Sequence, residues 1–597
     1  MFETFEHDVL VIGAGGAGLR AAIEAHAMGA HVGLLCKSLL GKAHTVMAEG
    51  GIAAALANNV AQDNWQAHFR DTMRGGKLLG NWRMAQIHAM EASARVMELE
   101  QWGAMFDRTS DGRINQRNFG GHRYPRLAHV GDRTGLEMIR SLQDHSAEQD
   151  FKVYMEFTAY RLLKDGDRIS GVIGYWRETG RFALFRAKAV VLATGGIGKC
   201  WQVTSNSWEY TGDGHAMAYV AGAELIDMEF VQFHPTGMVW PPSIRGTLVT
   251  EAVRGEGGVL LNGKGERFMF RYIPAMFRGE FAENEDEAKR WLIGDKLARR
   301  PPELLTRDVI SRAIVKEIKE GRGTAHGGVS LDIATQRTAE KIRSKLPSMY
   351  HQFKELGDLD ITKQPMEVGP TTHYVMGGVR VDPETAQSTI SGLFAAGECA
   401  GGMHGANRLG GNSLSDLLVF GRRAGASAAE YAKALNAFPN VDEQVARNLC
   451  REMLAPFDRT EGENPFAVTE ALQTVMQDWV GIVRTEEELV RARKKISSLK
   501  ERALHVRAGG NRQYNPGWHQ ALDLMNLLVG SEMVILAAIE RKESRGAHTR
   551  IDFPKSESKW AKVNVTIYEK AGQMHVKQQP LPEIPEDLRK LVEGEPS

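Results

Sequence analysis

A glycine-rich segment near the start of the chain constrains the fold more than any other feature of the sequence. Residues 9–12 are an apolar, mostly β-branched run of the kind found in buried parallel strands, and Gly13, Gly15 and Gly18 follow with the spacing G-x-G-x-x-G. The first glycine permits a tight turn, the second lets backbone approach a pyrophosphate, and the third lets the next helix pack closely on the strand. Strand, turn and helix therefore predict a dinucleotide site with a helix N-terminus facing the phosphates.

The composition is that of an ordinary soluble globular protein. The chain has 597 residues, of which 43% are hydrophobic and 25% charged, and its 74 basic and 74 acidic residues balance. This length predicts about three or four domains. The balanced charge carries no footprint of nucleic-acid binding, so we expect no nucleic-acid partner.

Cysteine usage and hydropathy narrow the class further. The four cysteines, at positions 36, 200, 399 and 450, form no C-x-x-C motif, so neither a disulfide scaffold, nor an iron–sulfur cluster, nor a metal site is expected within the chain. The N-terminus lacks an apolar signal segment, and no run approaches the roughly 18 uncharged apolar residues that a membrane span needs. We therefore expect a soluble cytoplasmic chain, unless a partner holds it at a membrane.

Later segments extend the nucleotide site and favour FAD. The second strand ends in Cys36, Lys37 and Ser38, without the acidic residue that a nicotinamide-binding fingerprint offers to a ribose, which argues against simple NAD binding. A later strand ends in a glycine turn at 193–196, and Asp213 then opens a helix, where it is placed to accept hydrogen bonds from a cofactor. These elements favour a ligand with two nucleotide-type halves.

Breaks in the pattern predict an α/β chain: a Rossmann-like FAD-binding domain with an inserted α+β capping domain, then a helical domain and a small C-terminal domain. The basic segment 108–133 is either a solvated loop or a wall of an anion site. The charge run 484–502 is interpreted as the solvated face of a helical bundle, and alternation at 562–568 predicts strands before a loose end. The expected limits are 1–234 and 355–433 for the FAD-binding domain, 235–354 for the capping domain, 434–542 for the helical domain and 543–597 for the C-terminal domain.

A set of further motifs is spread along the chain: His44-Thr45-Val46 with Glu49-Gly50-Gly51, Gln232 to Gly237, Thr250-Glu251 with Arg254 to Gly258, Thr306-Arg307-Asp308, Thr372-His373-Tyr374 with Met376-Gly377-Gly378, His404 to Ser413, and Arg541 to His548. Together with the first glycine turn, these motifs closely resemble the flavoprotein subunit of succinate dehydrogenase and fumarate reductase over nearly the whole chain. The sequence of residues 37–44 is most similar to that of actinobacterial-type succinate dehydrogenases.

The resemblance implies FAD bound covalently through an imidazole nitrogen of His44. In this family such a link raises the flavin potential, which oxidation of the unactivated C–C bond of succinate demands, and the protein tunes it further. The implied cofactor-binding residues are Gly13, Gly15, Gly18, Lys37, Ser38, His44, Thr45, Gly50, Gly51, Asp213, Glu398, Ser413 and Leu414.

The resemblance also implies a dicarboxylate site. Bidentate arginine is the natural ligand for a carboxylate. An arginine is an unusual acid or base, and can serve only in a closed pocket where neighbouring positive charge makes loss of its proton accessible. The implied substrate ligands are His234, Thr250, His373 and Arg408, with Phe119 lining the pocket; the implied catalytic residues are Arg307 as proton shuttle, with Glu251 and Arg254 relaying protons to solvent.

The family implies succinate and fumarate as substrates, an electron-accepting iron–sulfur subunit, and a quinone-reactive membrane anchor. The chain would then lie on the cytoplasmic side of the membrane, held by its partners. Glu49 occupies a position where many aerobic succinate dehydrogenases carry Gln and fumarate reductases carry Glu. A glutamate there favours menaquinone as the quinone partner. The expected direction is succinate oxidation, with fumarate reduction as the alternative.

Other functions fit the sequence less well. An L-aspartate oxidase shares the fold and the clamping residues but lacks a histidine at the position of His44. A noncatalytic flavin-binding subunit would have no need of the five residues His234, Glu251, Arg307, His373 and Arg408.

Overall fold

A computed structural model of the chain describes residues 2–594, including every side chain in that range except that of Met276. The last three residues of the predicted C-terminal domain lie outside it. The helices of the described chain are α1 Gly16–Ala27, α2 Trp65–Gly75, α3 Trp82–Gln101, α4 Thr134–Ala147, α5 Asp213–Val220, α6 Glu251–Gly255, α7 Glu285–Leu292, α8 Arg307–Glu317, α9 Ala339–Lys345, α10 Pro347–Gly357, α11 Asn412–Ala434, α12 Glu443–Asp458, α13 Pro465–Trp479, α14 Glu486–Ala503, α15 Pro516–Glu540 and α16 Glu586–Glu593.

The strands of the same range are β1 Phe2–Ile12, β2 Val32–Leu35, β3 Ile52–Ala53, β4 Gln116–Arg117, β5 Leu127–Ala128, β6 Lys152–Tyr154, β7 Phe157–Asp165, β8 Arg168–Trp176, β9 Phe182–Leu192, β10 Leu225–Ile226, β11 Val231–Trp240, β12 Val259–Leu261, β13 Val329–Asp332, β14 Met366–Val375, β15 Gly378–Arg380, β16 Leu393–Ala395, β17 Ala400–Gly401, β18 Val483–Arg484, β19 Thr549–Arg550, β20 Val563–Lys570 and β21 Gln573–Pro580.

The central sheet of the nucleotide-binding part has seven strands in the order β6-β2-β1-β9-β8-β7, with β16 also paired to β9. Strand β1 runs parallel to both of its neighbours, with Val9 opposite Val32 and Leu10 opposite Val190. Because β1, β2, β9 and β16 are parallel, their carboxyl ends meet at one edge, where ligands bind in open α/β sheets. The sheet therefore brings the predicted glycine turns together.

Helices α1 and α11 cover this sheet and pack closely on each other. A Cβ at Gly425 would lie 2.2 Å from the main-chain oxygen of Ala21, and one at Gly421 would lie 2.7 Å from that of Ala17. Two glycines on α11 therefore let the two helix backbones approach, and this contact fixes α1 behind the first glycine turn.

A second unit carries its own sheet and core. Strands β11, β14, β13 and β12 form a four-stranded antiparallel sheet, and helices α6 to α10 lie in the same part of the chain. Its hydrophobic cluster includes Val253, Ile310, Leu331 and Phe353, all fully buried. The inserted α+β unit predicted from the sequence is confirmed as a feature of the fold.

The helical part is organised around α15, which contributes Leu524, Leu528 and Val534 to a buried cluster with α13 and α14. By length and composition alone, α15 is apolar enough to cross a membrane, with a mean hydropathy of 1.8 over an 18-residue window, but 78% of that window is buried inside the protein. A search for uncharged runs misses this helix because Asp523 and Glu532 interrupt it. Such burial is typical of the core helix of a globular protein.

The C-terminal strands complete a five-stranded sheet in the order β17-β15-β10-β20-β21. The sequence predicted a loose C-terminal end, but the end of the described chain packs against the rest of the protein. Helix α16 places Leu588 and Val592 against Phe69 and Met73 of α2, and both C-terminal side chains are buried. A short amphipathic turn of helix inside an acidic, proline-rich tail explains why composition gave the wrong expectation.

Two basic residues of the predicted surface segments are buried instead. Arg484 is fully buried and donates hydrogen bonds to the main-chain oxygen of Glu229 and to His548 Nδ1. Arg126 is also fully buried and pairs with Asp63 and Asp71 at 2.8 and 3.0 Å. The solvated-face interpretation was therefore wrong for Arg484, and Arg126 is held in a structural ion pair.

Candidate active site

The first glycine turn has the close packing that its spacing predicted. A Cβ at Gly13 would lie 2.2 Å from the main-chain oxygen of Ala193, and one at Gly18 would lie 1.7 Å from that of Gly13. Gly13 also has a φ of 106°, which favours glycine. The main-chain nitrogen of Gly16 donates to Thr45 Oγ1 at 3.2 Å, which ties the helix start to the segment that carries His44.

A cavity of about 370 Å³ opens at this edge of the sheet. Its wall joins the first glycine turn to the ends of β2, β9 and β16 and to the start of α11. Of the predicted cofactor residues, Gly18, Gly50 and Gly51 lie outside the wall. Those on the wall are Gly13, Gly15, Lys37, Ser38, His44, Thr45, Asp213, Glu398, Ser413 and Leu414.

Lys37 closes one side of the cavity through a buried charge cluster. Its Nζ donates to Thr211 Oγ1, Asp213 Oδ2 and Asp523 Oδ1 at 2.8, 2.9 and 2.8 Å. Burial opposes the charge on Lys37, but the two carboxylates outweigh it and raise the pKa of the ammonium. Asn526 Nδ2 also donates to Asp213 Oδ1, so α15 holds two members of this wall in place.

The residues on the cavity wall are suited to bind an FAD molecule. The glycine turn and the N-terminus of α1 offer main-chain N–H groups to phosphates. His44 is half-buried on the cavity wall, and its Nδ1 atom is buried with no hydrogen-bond partner among the described residues. A buried polar atom without a protein partner on the wall of such a cavity is available to a bound cofactor.

His44 lies in a single turn of 3₁₀ helix, His44–Met47. Burial lowers the pKa of its imidazole to about 4, so the ring is neutral near pH 7. Its Nε2 lies 3.2 Å from Nδ2 of Asn206, and its ring packs edge-on against Tyr210 with centroids 4.7 Å apart. The side chain is thus held in one place beside the cavity.

Two buried arginines face each other across Gln232. The Oε1 atom of Gln232 accepts from Arg307 Nη1 at 3.2 Å and from Arg408 Nη2 at 3.0 Å. Its amide nitrogen donates to Asn407 Oδ1 and to the main-chain oxygen of Arg408 at 3.0 and 2.8 Å. One neutral side chain therefore sets the separation of two cations, a role that the sequence did not reveal.

Arg408 has a free donor with which it can bind the anionic group of a ligand. It donates to Ser413 Oγ at 2.7 Å, stacks over the ring of Tyr374, and leaves Nε without a partner among the described residues. Burial, and then the positive charge of Arg307, lower the pKa of Arg408 to about 9. A bound carboxylate would offset both the burial of the Arg408 charge and its repulsion from Arg307.

The two predicted substrate histidines lie side by side, with ring centroids 5.3 Å apart. Burial, and then Arg307, lower the pKa of both rings well below the usual value, so both are neutral. His234 Nδ1 accepts from the main-chain nitrogen of Thr236 at 3.2 Å, which leaves its Nε2 as an N–H donor with no partner in the described chain. His373 Nδ1 lies 2.9 Å from Ser205 Oγ.

The predicted proton relay forms a continuous chain of contacts. Arg307 Nε donates to Glu251 Oε2 at 3.0 Å, and Arg254 Nη2 lies 3.5 Å from the same oxygen. Burial alone would raise the pKa of Glu251, but these two arginines lower it below its usual value, so Glu251 is ionised. Glu251 Oε1 also accepts from the main-chain nitrogen of Gly120 at 2.8 Å.

Of the predicted substrate-binding and catalytic residues, His373 and Arg408 line the cavity, and the others lie behind its wall: His234, Thr250, Glu251, Arg254, Arg307 and Phe119. Thr250 is the N-cap of α6, the helix that carries Glu251. Phe119 is buried, and its ring would meet a Cβ at Gly50 at 2.8 Å and one at Gly410 at 2.4 Å. It therefore packs between the segment after His44 and the loop that carries Arg408.

Fold and cavity together define an FAD-dependent flavoprotein. Residues 8–414 match a family model described as an FAD binding domain, and residues 469–587 match one described as the C-terminal part of fumarate reductase flavoproteins. The chain belongs to the family of flavoprotein subunits of succinate dehydrogenase and fumarate reductase. This confirms the resemblance inferred from the sequence motifs.

Named relatives cover nearly the whole chain. It is 43% identical to a CoM/CoB fumarate reductase subunit from Methanothermobacter marburgensis, over 94% of this chain and 96% of the relative. It is 35% identical to the succinate dehydrogenase flavoprotein subunit of Rickettsia bellii, over 96% and 95% of the two chains. Among solved structures, Mycobacterium smegmatis Sdh1 in complex with UQ1 matches with a TM-score of 0.87 and 54% identity, over 99% and 97% of the two chains.

Proposed function

We propose that the chain is the catalytic flavoprotein subunit of a succinate:quinone oxidoreductase, which interconverts succinate and fumarate and works as a succinate dehydrogenase. One observation carries the proposal. The arginines at 307 and 408 are held apart by Gln232 and lie near two neutral histidines, and Arg408 and His373 of this group line the FAD cavity. Family membership supports the same conclusion.

The substrate-binding roles follow from the free donors. Arg408 Nε and His234 Nε2 lack partners among the described residues, so both are available to a carboxylate. His373 lies on the cavity wall, and its contact with Ser205 at Nδ1 leaves the other ring nitrogen for a ligand. Two groups of donors are the recognition that a dicarboxylate requires.

The proton role belongs to Arg307. Its Nε donates a hydrogen bond to Glu251 and its Nη1 donates one to Gln232, which leaves Nη2 to exchange a proton with the substrate. Burial lowers the pKa of Arg254, the next member of the relay, so a proton is less tightly held there than on an exposed arginine. Bound FAD supplies hydride acceptor or donor chemistry at the other substrate carbon. The capping unit would exclude water during transfer.

We further propose that FAD is attached covalently through an imidazole nitrogen of His44. Its neutral ring and its place on the cavity wall support this role. The proposed electron acceptor is an iron–sulfur subunit, which docks on a membrane anchor that reacts with a quinone, with menaquinone favoured by Glu49. The chain would then be peripheral on the cytoplasmic side of the membrane. The domain limits expected from the sequence remain part of the proposal.

Succinate-dependent reduction of a dye by the purified FAD-loaded chain tests the activity. We expect Arg307→Gln to lower kcat by about 10²- to 10⁴-fold, the range typical of a lost general acid or base. The matched control is Arg447→Gln, at an exposed pair with Glu443. Absence of wild-type turnover with succinate and with fumarate, or full activity of Arg307→Gln, would refute the proposal.

Fumarate reduction is the second candidate direction. It is favoured by Glu49 and by the 43% identity to a protein named as part of a fumarate reductase. Comparing dye-linked rates in both directions with the same preparation separates the two, because a chain specialised for reduction will turn over fumarate faster than succinate.

A further inference from the structure

The loop at residues 204–206 touches both histidines on which the proposed function depends. Nδ2 of Asn206 lies 3.2 Å from His44 Nε2 and donates to the main-chain oxygen of His373 at 3.0 Å. Ser205 Oγ lies 2.9 Å from His373 Nδ1. One short loop therefore joins the histidine at the flavin to the histidine at the substrate.

Strand β14 fixes this loop. The main-chain nitrogen of Ser205 and the hydroxyl of Thr204 both donate to the main-chain oxygen of Thr372, at 3.0 and 3.1 Å. Thr204 Oγ1 in turn accepts from the main-chain nitrogen of Asn206 at 3.1 Å. The amide of Asn206 is thus held at a set position relative to the strand that carries His373.

The contacts of the amide decide its orientation and the tautomer of His44. A main-chain oxygen only accepts, so the side of Asn206 that faces His373 must be its NH₂ group. The second hydrogen of that group points at His44 Nε2, which must accept with its lone pair. Since burial keeps the imidazole neutral, its single proton lies on Nδ1.

Gly198 holds the other side of the amide. A Cβ at this position would lie 1.7 Å from Asn206 Oδ1, a distance that no real contact allows. Only glycine leaves room for the oxygen there, so the amide is confined between Gly198 on one side and the two histidines on the other.

We propose that Asn206 is a positioning residue for flavin attachment, which holds His44 with Nε2 unprotonated and ties that nitrogen to the substrate strand. The inference rests on the proposed attachment of FAD at His44. An unprotonated nitrogen is what a nucleophile needs. At attachment, Nε2 would exchange its hydrogen bond from Asn206 for a bond to a ring-substituent carbon of the flavin, and the imidazole would lose its Nδ1 proton. That carbon would lose one proton as well, and the two electrons of its C–H bond would remain in the flavin, which is thereby reduced without an added oxidant.

Asn206→Asp is the sharpest variant because it keeps the size of the side chain and reverses the hydrogen bond. A carboxylate accepts from His44, which puts the imidazole proton on Nε2. We expect this variant to bind FAD but to lower its covalently attached fraction by about tenfold or more, since about 1.4 kcal/mol of tautomer preference is worth a factor of ten. The measurement is flavin fluorescence that migrates with the chain on an acid-denatured gel, set against total FAD absorbance.

Two further variants separate positioning from a general structural role. Gly198→Ala displaces the amide without changing it, and should lower the covalent fraction in the same way. Ser207→Ala, at the residue directly after the loop, removes a hydroxyl that donates to Glu209 and should behave as wild type. His44→Ser gives the zero of the assay.

The outcomes are distinguishable. Retained FAD with a lost covalent fraction in Asn206→Asp supports the inference. A covalent wild type with an equally covalent Asn206→Asp overturns the inference alone. Loss of all FAD from both Asn206→Asp and Gly198→Ala also overturns it, because that result is structural. A wild type without covalent flavin refutes attachment at His44, and the inference with it.

Discussion

Gln232 shows how one neutral residue can make a cationic site usable. It offers one oxygen to two buried arginines and directs its N–H groups away from them. A carboxylate at this position would satisfy the arginines permanently, whereas an apolar side chain would leave them to repel each other. An amide separates the cations and still leaves their charge for the substrate.

Replacement of Gln232 tests this explanation. We expect Gln232→Glu to raise KM for succinate by about tenfold or more, because its charge competes for both arginines at a cost of roughly 1–3 kcal/mol. Gln232→Leu should lower kcat as well, since the arginines lose their spacing. Steady-state kinetics with the dye assay separate the two effects. An unchanged KM in Gln232→Glu would contradict the role.

The pKa of Arg408 predicts a pH dependence for ligand binding. The group is cationic below about 9 and loses its charge as the pH rises through that value. The dissociation constant of malonate, a short dicarboxylate, should therefore increase above pH 9 by about tenfold per pH unit. Flavin absorbance changes on titration measure it, and the spectrum without ligand controls for loss of FAD. A constant affinity between pH 7 and 10 would contradict this assignment.

At this scale the sequence identified the glycines, histidines and arginines of the motifs, but not the residues that orient them. Gln232 lies 175 residues from Asn407, and Lys37 lies 486 residues from Asp523. Glutamine, asparagine and aspartate carry no local signal of such contacts, because each is common on any protein surface. Gln232 stood in a motif, but only the fold could show its contacts with the two arginines and the presence of Asn206, Asn526 and Asp523 at the site.

At the scale of elements, the apolar patterns predicted the main strands and helices with small errors at their ends. Strand β1 begins at Phe2 rather than Val9, because the residues before Val9 pair with the first half of β9. Helix α1 begins directly after the turn, at Gly16. Helix α16 was missed, since eight residues within a proline-rich tail are too short for a periodic signal.

Gly425 allows a test of the helix contact behind the cofactor. Alanine would favour the helix by up to about 1 kcal/mol in isolation, but its Cβ would lie 2.2 Å from the main-chain oxygen of Ala21. The clash should dominate, so we expect Gly425→Ala to lower the free energy of unfolding by about 1–3 kcal/mol and to weaken FAD retention. Denaturant unfolding and bound FAD after gel filtration measure both.

Gly279→Ala is the matched control, because no described atom lies within 4 Å of a Cβ at that position. If Gly425→Ala were as stable as Gly279→Ala and kept its FAD equally well, the close approach of α1 and α11 would not position the turn.

At the scale of the whole molecule, contacts between units complete the site. Asp132, fully buried in the nucleotide-binding part, accepts from the main-chain nitrogens of Ser348 and Met349 at 3.2 and 3.0 Å. These two groups begin α10 of the inserted unit. A residue of one unit therefore caps a helix of the other, which fixes the inserted unit over the cavity.

Removal of this cap should loosen the inserted unit. A lost N-cap costs about 0.5–2 kcal/mol, so we expect Asp132→Ala to raise KM for succinate by about 2- to 30-fold. Amide hydrogen exchange over residues 348–353 should accelerate at the same time. Asp132→Asn, whose side chain keeps one acceptor oxygen, should have a KM and an exchange rate between those of the wild type and of Asp132→Ala. Unaltered exchange in Asp132→Ala would show that the cap does not hold the units together.

The cluster around Lys37 also sets an order of events during biosynthesis. The wall of the cofactor cavity is finished by Asp523 and Asn526, which belong to the core helix α15 near the end of the chain. A ribosome must therefore release almost the entire polypeptide before that wall exists. The first glycine turn, made within the opening twenty residues, waits for a helix made more than 480 residues later. Stable capture of the cofactor is accordingly expected late in synthesis or after it, and a chain cut short before α15 should retain FAD poorly.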